Sequence, residues 1–187
     1  MFTLQDVNPM SYMEFESIVD TLIYKINDSG ITFQAVAPIL RSGAIPATII
    51  ANKLRIPTML PIHVRLESDS NEIKPLLPFV LPLENCLGEA PNILIVETNT
   101  ITGKTAEKSF EIIKGNISNA NIYYATVGRV YRKPEIKLEM FKDYFWGIIT
   151  DELFEANDDD KLKMNIRPKI TIYPWETAEF ELEEING

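Results

Sequence analysis

A chain of 187 residues, 45% of them hydrophobic, has enough apolar material for one well-buried core and fits a single domain spanning residues 1–187. A net charge of −9 and a pI near 4.7 exclude the broad basic face that holds a nucleic-acid backbone. One cysteine, Cys86, excludes an intrachain disulfide and a cysteine-built metal cluster, and no apolar run approaches the ~20 residues of a bilayer span, so the expectation is a cytoplasmic chain with neither nucleic acid nor membrane as partner.

Ser11 and Glu14 form a capping-box pattern, after which Phe15, Ile18, Val19, Leu22, Ile23 and Ile26 recur at helical spacing until Asp28-Ser29-Gly30 stops the run. Phe33 to Ile39 reads as a strand that enters Arg41-Ser42-Gly43, and Pro46 opens a second helix through Leu54. Ile56 to Val64 reads as extended. The stretch from Glu67 to Glu89, broken by Pro75, Pro78 and Pro82, reads as a long excursion. Ile93-Leu94-Ile95-Val96 has the continuous apolar character of a strand buried on both faces, and a polar loop leads from it to a helix over Thr102 to Lys114. Another strand is expected near Ile122 to Val127. The tail from Asp151 to Lys163 reads as acidic and irregular, and Lys169 to Tyr173 as a closing strand before Pro174-Trp175-Glu176. Strands alternating with helices imply an α/β fold: a mainly parallel twisted sheet flanked by helices, with ligands gathering at the carboxyl ends of the strands.

The loop from Val96 to Thr105 carries the chemistry. It joins a buried strand to a helix N-terminus, where free backbone N–H groups and the helix dipole favour an anion. Gly103 allows close backbone approach, Thr102 and Thr105 offer hydroxyl donors to phosphate oxygens, and Lys104 adds positive charge. Taken alone, Thr-Gly-Lys-Thr is also what an ordinary helix cap looks like. It is not a P-loop, because the glycine expected five residues before Gly103 is Thr98.

An apolar strand, an acid, a short spacer and Thr102-Gly103-Lys104-Thr105 resemble the phosphoribosyl pyrophosphate signature of type I phosphoribosyltransferases. Ile39-Leu40-Arg41-Ser42-Gly43-Ala44 is similar to the family's pyrophosphate loop, and Arg132-Lys133-Pro134 with Pro174-Trp175-Glu176 resembles the branch acting on 6-oxopurines. The resemblance covers residues 31 to 177, leaving out the first helix, and implies one domain with a small hood from terminal segments. It implies transfer of phosphoribose from 5-phosphoribosyl-1-pyrophosphate to a nucleobase, with Mg²⁺ and release of pyrophosphate. Its small-molecule partners are that donor and a nucleobase or nucleotide.

Carried over by position, Glu97 and Arg41 are the catalytic candidates, and Glu97 also holds the metal through water. Thr98, Thr100, Ile101, Thr102, Gly103, Lys104 and Thr105 hold phosphate and ribose, while Arg41, Ser42 and Gly43 hold pyrophosphate through a cis peptide at Arg41-Ser42. Lys133, Ile170, Tyr173 and Trp175 contact the base, although the two aromatics also read as core. Arg65 to Glu72 occupies the place of a mobile gate.

Three positions depart from the family pattern. Thr98 stands where a second acid is usual, Ile101 where an aspartate accepts a proton, and Ile170 where an aromatic stacks on the base. Isoleucine cannot transfer a proton, and threonine brings no charge to a cationic transition state. These departures leave open a protein that binds nucleotide with catalysis impaired, or a transferase with an altered sugar or acceptor. Elsewhere the plainer readings lead: Cys86 is a structural thiol, the sole histidine, His63, is structural or on the surface, and Asp158-Asp159-Asp160 is a solvated charge run. Tyr144-Phe145-Trp146 cannot all face inward in one chain, which implies a homodimer or higher homo-oligomer.

Overall fold

The computed structural model describes residues 1–67, 72–82 and 86–187. A short turn of 3-10 helix at Leu4–Asp6 leads to β1 (Val7–Pro9) and α1 (Tyr12–Asp28), then β2 (Ala35–Leu40), α2 (Ala44–Leu54), β3 (Thr58–Met59), β4 (Ile62–Glu67) and β5 (Glu72–Pro75). Then come β6 (Asn92–Thr100), α3 (Lys104–Asn116), β7 (Asn121–Val130), β8 (Tyr144–Asp151), α4 (Asp158–Met164), β9 (Arg167–Pro168), β10 (Ile170–Ile172) and α5 (Ala178–Asn186). The main sheet runs β5-β4-β2-β6-β7-β8-β9, with β3 also on β2, and among the described residues only its β4/β5 pair is antiparallel. This is the expected α/β architecture with a mainly parallel sheet.

The continuous apolar run of β6 follows from burial on both faces. Leu94 and Val96 point into a cluster with Phe15, Val19 and Leu22 of α1, whereas Ile93 and Ile95 point into one with Ile113 of α3 and Phe141. The same alternation sends Ala125 of β7 to the α1 face and Tyr124 to the α3 face. The Ser11/Glu14 capping box starts α1 as read from the sequence.

Several elements differ from the sequence reading. Helix α2 begins at Ala44, so Pro46 sits inside its first turn, where a missing N–H costs nothing. The excursion after Glu67 contains β5, a polar edge strand whose sequence carries no apolar alternation. Strand β8 absorbs Tyr144-Phe145-Trp146 within one chain: Phe145 enters the α1 face, Tyr144 packs by Tyr124, and Trp146 lies under Arg129 at 4.3 Å. Those aromatics therefore no longer argue for self-association. The acidic tail is partly helical, with Asn157 capping α4 and Asp158, Asp159 and Asp160 in its first turn, where the helix dipole favours negative charge. Cys86 is exposed rather than packed in the core.

Strand β10 does not close the main sheet. It pairs with β1 to form a separate two-stranded sheet, and Ile170, Ile172 and Leu182 build a small core with Phe2 and Val7. The termini are tied there, since Phe2 N–H donates to Asn186 Oδ1 at 2.7 Å and Asn186 Nδ2 donates back to Phe2 O at 2.9 Å. This terminal assembly is the hood.

Candidate active site

Two loops leave adjacent parallel strands, β2 and β6, at the same carboxyl edge. The first, Arg41-Ser42-Gly43, lies against the middle of β6: a Cβ on Gly43 would sit 2.6 Å from Val96 O and 2.5 Å from Ile39 O. Only glycine permits that approach, because any side chain would meet two backbone carbonyls. Arg41 is exposed and Ser42 half-buried. The non-proline cis bond falls between Leu40 and Arg41, one residue earlier than the resemblance implied.

The second loop crosses to α3 through Gly103, which takes a left-handed φ of 78° and is the N-cap residue of the helix. Thr102 stands one position before the cap and accepts from Lys104 N–H at 3.4 Å. Ile101, Thr102 and Lys104 are exposed, Thr105 is half-buried and Thr100 is buried. The first amides of α3 have no acceptor within the helix. Ile136 and Leu138 pack on the far side of Gly103, where a Cβ would meet each at 3.1 Å.

Glu97 is half-buried and accepts a short hydrogen bond from the hydroxyl of Tyr124, which lies 2.7 Å from Thr100 Oγ1. Burial pushes the Glu97 carboxyl up to about 7, against the lowering effect of that hydrogen bond. On the hood side, Thr98 O accepts from the buried Tyr173 hydroxyl at 3.1 Å, and Asn99 Nδ2 donates to Glu152 at 2.8 Å. Burial also raises Glu152 and Glu176 to about 7, opposed by Asn99 and by the Tyr173 backbone N–H respectively. The side-chain oxygens of Thr98, Thr150 and Thr171 and one of Glu152 are buried there without protein partners.

The resemblance pointed to Lys133, Ile170, Tyr173 and Trp175 for the base, and the structure separates them. Arg132 donates to Ile101 O at 3.3 Å, which places the Arg132-Lys133-Pro134 turn beside the phosphate loop. Lys133 pairs with Asp160 at 2.7 Å, which raises its pKa, and it lines a cavity of about 180 Å³ with Arg129, Tyr131, Arg132, Glu135 and Asp160. Ile170 is buried in the hood core, so its side chain has no face to offer a base. Tyr173 and Trp175 stack on each other at 5.4 Å and pack edge-on against Phe15, which makes them core aromatics. Of the gate at Arg65 to Glu72, residues 68–71 lie outside the described residues; its flanks are the antiparallel pair β4 and β5.

Sequence reasoning missed Tyr124, Asn99 and Glu152. Tyr124 is one of three hydroxyl-bearing positions of β7, with Tyr123 and Thr126, and nothing local singles it out. The contacts of Asn99 and Glu152 join segments distant in sequence and leave no local signal.

The resemblance implies Mg²⁺, yet among the described residues no three acidic, histidine or cysteine side chains converge, so this set does not fit a resident metal centre held by side chains. Nor is any helix of the described residues long and apolar enough to cross a membrane.

Residues 11–145 match the family model for the phosphoribosyl transferase domain, and the chain belongs to that family. The match takes in α1, which the sequence resemblance had left outside, and stops before most of β8 and the hood. Among solved structures, the fold is similar to a purine phosphoribosyltransferase from Pyrococcus horikoshii, with TM-score 0.65 and 17% identity over 92% of this chain and 95% of that one. It is also similar to a hypothetical protein from Neisseria gonorrhoeae with bound ppGpp, with TM-score 0.66 and 17% identity over 98% and 97% of the two chains. A third is the Helicobacter pylori xanthine-guanine-hypoxanthine phosphoribosyltransferase, with TM-score 0.64 and 12% identity over 95% and 99%.

Proposed function

We propose that the protein transfers phosphoribose from 5-phosphoribosyl-1-pyrophosphate to a nucleobase, a purine, and releases pyrophosphate. The observation that carries this reading is that the Arg41 loop, seated by Gly43 against Val96 O of β6, and the Thr102–Thr105 turn leave adjacent parallel strands at one sheet edge. A donor with a phosphate at one end of the ribose and pyrophosphate at the other needs two anion sites so spaced. The α3 N-terminus with Thr102, Lys104 and Thr105 takes the 5-phosphate, and Arg41 with Ser42 takes the pyrophosphate.

As the base nitrogen displaces pyrophosphate, positive charge grows on the ribose ring. Glu97 supplies a carboxylate at the head of the loop, and it is charged above a pH of about 7. Thr98 adds no charge and Ile101 accepts no proton, so the departing base proton goes to solvent. Magnesium belongs to this proposal as part of the pyrophosphate substrate. The base occupies the cavity beside Lys133, whose ammonium is a donor for an exocyclic oxygen.

A second reading is a nucleotide-binding or regulatory protein with impaired catalysis. It is favoured by the exposed Ile101 and the buried, unpartnered hydroxyl of Thr98. A transferase with an altered sugar or acceptor rests on the same positions. Pyrophosphate release across a panel of bases, run beside calorimetry with purine nucleotides, separates these readings. Turnover with one purine supports transfer, whereas tight nucleotide binding without turnover on any base supports the second reading and refutes the first.

A further inference from the structure

The phenol of Tyr124 sits between the two ends of the stretch that leads into the phosphate turn. The residue lies on β7, is 0% exposed, and its ring stacks on Phe141 at 5.0 Å and tilts against Tyr144 at 5.4 Å. The hydroxyl therefore has a fixed position. Burial raises its pKa well above the ordinary tyrosine value, so it remains a donor at any working pH. A phenol has one proton, and here it goes to Glu97 Oε2. Thr100 Oγ1, 2.7 Å away, must then be the donor to the phenol oxygen, and the direction of the chain is Thr100 to Tyr124 to Glu97.

We propose that Tyr124 is a positioning residue for the sugar-phosphate site: it fixes Glu97 from one side and Thr100 from the other, and leaves the second carboxylate oxygen of Glu97 for a ribose hydroxyl. This rests on the reading of the loop as a phosphoribosyl pyrophosphate site. Phenylalanine would fill the same space between Phe141 and Tyr144, so packing alone does not call for the hydroxyl. Among the described residues no cation pairs with Glu97, which makes the phenol the one donor that favours its charged form. The other titratable groups facing this chain are Tyr144 of β8, whose buried hydroxyl also lies toward Thr100, and Arg129 of β7, itself paired with Glu135. Phe110 and Phe141 cover the α3 side with apolar surface.

The test measures the affinity of the intact protein for 5-phosphoribosyl-1-pyrophosphate with magnesium, at pH 8, in four forms: the unaltered chain, Tyr124→Phe, Glu97→Gln and the double variant. Tyr124→Phe is expected to weaken binding about tenfold, as for loss of a hydrogen bond to a charged group. In the Glu97→Gln background the same change should cost less than about twofold, because the group it positions is gone. A thermal melt of each form excludes loss of fold as the cause. Equal losses in both backgrounds would overturn the positioning role. If the unaltered chain binds no phosphoribosyl pyrophosphate, the reading of the loop itself fails and the inference falls with it; if it binds and Tyr124→Phe binds equally well, only the inference falls.

Discussion

Gly43 and Gly103 occupy corresponding places, each between the end of a parallel strand and the start of a helix, yet they are needed for different reasons. Gly43 has an ordinary φ of −62° and is required by space, since two backbone carbonyls stand within 2.6 Å of where a Cβ would go. Gly103 meets only the methyl groups of Ile136 and Leu138 and is required by conformation, at φ 78°. One loop is seated on the neighbouring strand and the other turns on the backbone conformation of the buried Gly103, with Ile101, Thr102 and Lys104 exposed around it. A site built this way has a rigid pyrophosphate side and a phosphate side whose shape depends on local conformation.

The contrast breaks most sharply at Gly43. Gly43→Ala forces backbone apart and should cost about 3 kcal/mol in unfolding free energy, with the two loops no longer held together. Chemical denaturation and pyrophosphate binding measure this, and a variant with normal stability and binding would show that the close approach is not needed. Gly103→Ala should cost less, about 1–2 kcal/mol for the left-handed backbone, and weaken phosphate binding roughly tenfold while pyrophosphate binding is kept. Equal damage to both ligands would erase the distinction between the loops.

The smallest effect concerns the carboxyls packed around the phosphate loop. Glu97, Glu152 and Glu176 are each raised from 4.5 to about 7, so between those values the folded chain binds more protons than the unfolded one. Their stabilising contribution is complete below pH 4.5 and is lost as pH rises through about 7. The melting midpoint should fall from pH 5.5 to 8, and Glu152→Gln should flatten that slope. A midpoint that rises over this window would refute the assignment.

The sequence made the sheet and both loops legible because their signals are local. The apolar run Ile93–Val96, the Ser11/Glu14 capping box and the turn at Gly103 each announce themselves within a few residues. Strand β8 was hidden because a doubly buried strand needs no alternation, and its aromatics read equally well as surplus apolar surface. The hood was harder still: β10 pairs with β1 across most of the chain, a contact no window of sequence can register. For the same reason Ile170 took the place of a base-stacking residue by position while its side chain fills the hood core. Tyr124 is tied to Glu97 through strand pairing, which sequence spacing does not report.

The account rests on an anion held by the amides that open α3. The most direct measurement is a titration of 5-phosphoribosyl-1-pyrophosphate into isotopically labelled protein, followed by the backbone amide resonances. Large, saturable shifts at Thr102, Gly103, Lys104 and Thr105, together with Arg41 and Ser42, are the predicted result. Saturation with those six amides unmoved, or no saturation at millimolar ligand, would contradict it.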